Sequence, residues 1–238
     1  MAKFMITDEF WELFPEAEIA IVLVKGIKNT EAHVADVRQE INQLLKQSSK
    51  EANKFLTAEV FSQNKVISVW REAYQQFKTK KGVRCSIEAL LKRVEKGIGV
   101  SPINPLVDIY NAVSLTYGLP CGGEDIDTFK GDLLLTKAVG GELFLALGDE
   151  DYNNALPGEV IYKDDEGAVC RCWNWRDGQR TMLTEKTENA FLIIESVDPD
   201  KSDDLEAAAL LLADLTKKYL GGTTEVTFMN VVDRELTL

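Results

Sequence analysis

Asn104, Asp108 and Asn111 recur at i, i+4 and i+7. On a helix that spacing places an amide, a carboxylate and a second amide on one face, opposite Leu106, Ile109 and Val113. Such a stripe can hydrogen-bond a ligand's amine and carbonyl, or it can brace a neighbouring loop. Asn104 also stands directly before Pro105, the arrangement of an N-cap followed by proline at the first helical position. The segment Leu119-Pro-Cys-Gly-Gly-Glu-Asp125 follows. Read as a loop, its Gly122 and Gly123 let backbone come close to a ligand. Cys121 is a nucleophile by type, but the one histidine, His33, falls on an expected N-terminal helix. A Cys–His dyad is therefore disfavoured and a packed thiol is expected.

A second concentration of polar and aromatic groups is Cys170-Arg-Cys-Trp-Asn-Trp-Arg-Asp177. As a strand running into a loop, it alternates: Cys170, Cys172 and Asn174 face one way, Arg171, Trp173 and Trp175 the other. Trp173, Asn174, Trp175 and Arg176 can form a pocket wall or a stacking surface for a nucleic-acid end. The competing reading is a core aromatic pair beside a surface bridge between Arg176 and Asp177. Cys170 and Cys172 with Cys121 make at most three thiolates, without the paired C-x-x-C and histidine that mark zinc, so no metal is expected. No Gly-rich nucleotide fingerprint is present, and no cofactor is expected.

The elements that carry these groups follow from periodicity. Ile19–Val24 is uniformly apolar and reads as a buried strand. Thr30 is placed to cap a helix through Val34, Val37, Ile41, Leu44 and Leu45. Val66, Val69, Trp70, Ala73, Tyr74 and Phe77 form a helical stripe, and Ser86 caps a helix packed through Ile87, Leu90, Leu91 and Val94. Strands are expected at Leu133–Ala138, Glu142–Leu147, Glu159–Tyr162, Val169–Trp173 and Ala190–Glu195. Asp203 and Glu206 resemble a capping box for a C-terminal helix ending at Gly221-Gly222, and Val226–Val232 reads as a last strand. Together these predict one α/β (α+β) domain over residues 1–238, with a mixed, largely antiparallel central sheet flanked by helices.

The chain has 238 residues, 45% hydrophobic and 28% charged, enough to bury a real core. No apolar run is long enough to span a bilayer. The N-terminus is acidic too early for a secretory signal, and four cysteines then read as reduced thiols in a cytoplasm. Net charge is −12, whereas nucleic-acid binders usually carry a basic footprint. Lys65 to Gly97, however, holds nine Lys or Arg against three Glu. Within it, Lys80, Lys81, Arg84 and Arg93 are candidates for binding phosphates, or simply a solvated helix face.

The run from Asn104 to Asp127, N-P-L-V-D-I-Y-N-A-V-S-L-T-Y-G-L-P-C-G-G-E-D-I-D, resembles the N-x-x-V-D-x-x-N … G-x-P-x-H-A-F-D stretch of the tRNA-editing module (B-three/B-four type) of the phenylalanyl-tRNA synthetase beta subunit. Gly131-Asp-Leu-Leu134, Gly140-Gly-Glu142 and Thr187-Glu-Asn-Ala-Phe-Leu192 follow in the same order. The resemblance covers residues 66–198, leaving 1–60 and 203–238 as additional elements packed on that core. It implies a freestanding module that hydrolyses the ester of a mischarged aminoacyl-tRNA in trans, with tRNA and an aminoacyl ester as partners. The alternative is a non-catalytic module that binds an amino acid or tRNA. In the family pattern a histidine falls on Gly122 and a glutamate on Ile193. Here the histidine is missing, and Glu195 lies two residues past the glutamate position on the same strand face. The resemblance assigns catalysis to Asn174, Glu195 and Asp108. It assigns substrate binding to Asn111, Cys121, Gly122, Gly123, Trp173, Trp175 and Arg176.

Overall fold

The computed structural model describes residues 2–238. Two sheets lie face to face, with helices on the outer side of one of them. The first sheet runs β10-β1-β4-β5-β6-β7, built from β1 (Lys3–Ile6), β4 (Leu133–Lys137), β5 (Val160–Lys163), β6 (Ala168–Arg171), β7 (Arg176–Asp177) and β10 (Glu235–Thr237). The second runs β3-β8-β2-β9, from β2 (Glu18–Lys25), β3 (Cys121–Asp125), β8 (Asn189–Ser196) and β9 (Thr223–Met229). Only β1 and β4 pair in parallel; every other pairing among the described residues is antiparallel. The expected single mixed sheet is thus two sheets, largely antiparallel as predicted.

The packing explains why β2 reads as unbroken apolar sequence. Ile19, Ile21 and Leu23 face the other sheet, meeting Phe4, Leu133, Leu135 and Tyr162. Ala20, Val22 and Val24 face the helices. Both faces are dry, so alternation has nothing to mark. Each fully buried Val, Leu or Ile contributes about 1.5–3 kcal/mol over an exposed one. The helices on the outer face are α2 (Arg38–Glu51), α5 (Pro105–Tyr117) and α6 (Ser202–Leu220). At the open side of the two sheets sit α1 (Asp8–Leu13), α3 (Lys65–Ala73) and α4 (Ser86–Glu95).

Helix α5 begins as its sequence predicts. The Asn104 side chain accepts the Val107 N–H at 3.0 Å, Pro105 opens the first turn, and Gly118 closes the helix in the left-handed region at φ 68°. Other boundaries differ from expectation. Residues 31–37 form turns, and α2 starts at Arg38; Thr30 caps only a turn, through the His33 N–H, so His33 is on no helix. Helix α3 ends at Ala73, although Phe77 stays in the core. Helix α4 includes Ser86, with Cys85 at the N-cap. Helix α6 starts at Ser202 after a short turn capped by Asp198, so Asp203 lies in the first turn and makes no capping box. Glu142–Leu147 is no strand beyond one bridge, Ala146 to Gly178. The Glu142 carboxylate folds back onto the Val139 and Gly140 N–H groups at 3.0 Å, and Gly140 and Gly141 sit at φ 100° and 91°. That local turn wins over strand pairing.

Candidate functional site

The segment read as the loop Leu119–Asp125 is instead largely strand β3, at the edge of the second sheet, with Gly122 opposite Ile193 and Cys121 opposite Ile194 on β8. Glycine here serves two purposes. A side chain on Gly123 would press on Leu192 and Leu183 at 2.6 and 2.9 Å, so its bareness is a packing requirement. A side chain on Gly122 would meet only Ile193, at 3.8 Å. Gly122 therefore keeps the wall of a cavity open where a histidine would fill it.

That cavity lies between the two sheets and has a volume of about 70 Å³. One sheet contributes Gly122, Glu124 and Glu195 to its wall; the other contributes Tyr162, Cys170 and Asp177. The turn between β6 and β7 closes it with Trp173, Asn174 and Trp175.

This turn departs from the expected alternation. Strand β6 ends at Arg171, and Cys172 and Trp173 both adopt left-handed backbone, at φ 46° and 64°. Such a conformation costs a non-glycine residue on the order of 1–2 kcal/mol. Packing compensates for it. The Trp173 ring is fully buried, 4.9 Å from Phe10, 4.6 Å from Phe14 and 5.0 Å from Trp70, and its backbone N–H reaches Val160 O at 2.6 Å. The left-handed turn brings Trp173 and Asn174 to the same carboxylate.

That carboxylate is Glu195, which is 1% exposed. Its Oε1 accepts the Tyr162 hydroxyl and the Trp173 Nε1–H, the latter at 2.5 Å. Its Oε2 accepts the Asn174 Nδ2–H at 2.6 Å, and Asn174 Oδ1 accepts the Tyr74 hydroxyl at 2.9 Å. Burial pushes the Glu195 carboxyl up to about 7, against the pull of its three donors. Burial also raises Asp177 and the Cys121 and Cys170 thiols above their ordinary ranges. A thiol held protonated, with His33 exposed elsewhere, is a poor nucleophile. Ionisable polarity in the cavity therefore rests on carboxyl groups.

The remaining expected site residues lie elsewhere. Asp108 is fully buried under α5, ion-paired with Arg38 at 2.7 Å and accepting the Ile103 N–H at 2.7 Å. It does not line the cavity, and neither does Asn111, buried on the same helix. Arg176 turns outward to Asp149 at 3.1 Å, 5.8 Å from the Trp175 ring centre. Lys80 donates to Asn153 Oδ1 at 2.6 Å and Arg93 to Gly99 O at 3.1 Å, while Lys81 and Arg84 are exposed. Arg84 borders a second hollow with Tyr74 and Cys85, and Ser86 lines the first. Sequence reasoning did not single out Tyr162, Glu124 or Tyr74 as site residues. Glu124 adjoins the Gly-Gly pair, but the hydrogen bonds of Tyr74 and Tyr162 join residues 100 and 33 positions apart.

The family model for the B3/4 domain matches residues 69–218, well over half of the chain. The chain belongs to the B3/4 domain family. The match runs past residue 198 into α6 and includes the whole Glu195 network. Among its relatives, the phenylalanine–tRNA ligase beta subunit of Ruegeria pomeroyi is 38% identical over 97 residues, 41% of this chain and 12% of that protein. The beta subunit of Fusobacterium nucleatum is 26% identical over 148 residues, 62% of this chain and 18% of that protein. The chain thus spans less than a fifth of the length of these relatives. An N-terminal fragment of the phenylalanyl-tRNA synthetase beta-subunit from Pyrococcus horikoshii aligns with a TM-score of 0.48 and 12% identity, over 93% of this chain and 49% of that one.

Proposed function

We propose that this B3/4 domain hydrolyses the ester of a mischarged aminoacyl-tRNA in trans, in the cytoplasm. The observation that carries the reading is the Glu195 carboxyl, buried in the cavity, poised near 7 and fixed by Tyr162, Trp173 and Asn174. A general base works best with a pKa close to the working pH. Among the described residues its Oε2 accepts only the Asn174 amide, which leaves a lone pair to take a proton from water. Water adds to the ester carbonyl as its proton passes to Glu195. The bond between the carbonyl carbon and the ribose oxygen then breaks, and Glu195 returns its proton to that oxygen, which leaves as the free hydroxyl. An aminoacyl ester is already activated, so placing the water and holding the ester is enough, with no strong protein nucleophile. Gly122 keeps the wall open, and Trp175 offers a ring at the rim.

The second reading is a module that binds an aminoacyl group without cleaving it. The observation favouring it is the glycine at 122, where the family pattern carries histidine. Release of labelled amino acid from a panel of correctly and incorrectly charged tRNAs decides between them. Turnover on one mischarged species, reduced at least about tenfold by Asn174→Ala and abolished by Glu195→Gln, is the expected result. Unchanged turnover in both variants would remove Glu195 from the mechanism. No turnover by the folded wild type on any species would leave the binding reading.

A further inference from the structure

Glu124 on β3 is 6% exposed and lines the cavity, yet neither of its carboxylate oxygens has a hydrogen-bond partner among the described residues. An unpartnered buried carboxyl costs several kcal/mol in a folded protein and calls for a counterpart. No cation among the described residues supplies one. The Thr181 hydroxyl lies beside Glu124, and the charge of Arg180 is felt there. Arg180, however, is committed to Asp164, at 2.7 and 2.8 Å, and to Thr128 O. Across the seam, Asp177 on the other sheet lines the same cavity, and its charge adds to burial in pushing the Glu124 carboxyl well above its usual range. Cys121 and Cys170 fill the space around them with neutral groups. Two carboxyls from opposite sheets therefore face one cavity with no cation of the described residues between them.

We infer that Glu124 and Asp177 receive a primary ammonium group of the ligand, so the cavity takes an aminoacyl ester or amide with a free amine and rejects analogues that carry none. The inference rests on the reading of this cavity as the aminoacyl site. It also separates substrate from product. An aminoacyl ester brings an ammonium and no carboxylate, whereas the free amino acid brings a carboxylate into a cavity that already holds Glu124, Asp177 and Glu195. The burial that pushes these carboxyls up also disfavours an incoming carboxylate, so the product is held less well than the ester. The ammonium can be the α-amino group or the end of a basic side chain, and both present the same donors.

The test follows the indole N–H resonances of Trp173 and Trp175, which line the cavity, in the nitrogen-labelled protein. Four probes are titrated: L-alaninamide, L-lactamide, L-lysinamide and Nα-acetyl-L-lysinamide. L-Lysinamide, which carries both amines, is expected to bind at least about tenfold more tightly than L-lactamide, the scale of a charge-assisted hydrogen bond. Glu124→Gln and, separately, Asp177→Asn should erase that preference while the thermal midpoint holds or rises. Binding of Nα-acetyl-L-lysinamide would assign the ammonium to a side chain, and its failure beside L-alaninamide would assign it to the α-amino group. Equal binding of L-lysinamide and L-lactamide, no indole shift with any probe at tens of millimolar, or a preference that survives both substitutions would each overturn the inference. Hydrolysis separates it from the deacylase reading. Equal rates on an aminoacyl-tRNA and on a counterpart whose acyl group carries no amine would sink the ammonium site and leave the hydrolase. Amine-selective probe binding with no charged tRNA cleaved would do the reverse.

Discussion

At the residue scale, Glu195 joins stability to pH in a direction opposite to most carboxylates. Its folded value is about 7, above the usual 4.3–4.5 of an unfolded glutamate. Between those values the folded state holds a proton that the unfolded chain has given up, so stability falls as pH rises through the window. The loss from this one group is on the order of 3 kcal/mol, complete above about pH 7. Urea midpoints taken across that window should drop in the wild type and drop less in Glu195→Gln; parallel curves would show that Glu195 is already ionised. Legibility at this scale was uneven for a physical reason. Gly122, Cys121, Trp173, Asn174, Trp175 and Glu195 all line the cavity because they sit on short runs that the sheet pairing brings together. Asp108 shared its helical face with Asn111 in the sequence, but periodicity names a face without naming its neighbour. The neighbour of Asp108 is Arg38, 70 residues earlier and outside any motif.

At the element scale, the turn from Cys172 to Trp175 decides the site. Strand periodicity over 170–174 predicts Trp173 and Asn174 on opposite faces, and two left-handed residues in succession overturn it. Nothing in Cys-Trp announces positive φ, which glycine or asparagine would have marked. The cause is tertiary: a cage of Phe10, Phe14 and Trp70, contributed by α1, the segment after it and α3, holds the indole. Trp173→Ala should therefore cost about 3–5 kcal/mol in urea unfolding. Trp175→Ala, at a half-buried ring, should cost clearly less. Equal losses would mean that the turn does not depend on the Trp173 cage. The fully buried strand β2 was readable because a run of six apolar residues has few other fates. Glu142–Leu147 was not, since its own glutamate caps the preceding backbone and pulls it out of pairing.

At the scale of the whole molecule, the chain is acidic overall, but Arg84 lines the second hollow and both it and Lys81 are exposed. If tRNA phosphates dock there, log affinity should fall linearly with log salt. Replacing Lys81 and Arg84 by alanine should then lower that slope by roughly one for each phosphate no longer neutralised. An unchanged slope would place the RNA elsewhere. Periodicity predicted a helix-flanked, mostly antiparallel architecture, yet it gave no hint of two sheets, because one strand buried on both faces reads the same beneath helices or beneath a second sheet. The division has its own outcome. Glu124 and Glu195 belong to one sheet, Tyr162 and Asp177 to the other, and the cavity is the seam between them. A molecule lodged there grips both layers at once and acts as a rivet. A ligand held there stabilises the folded state by mass action, and that gain falls on the join between the two layers.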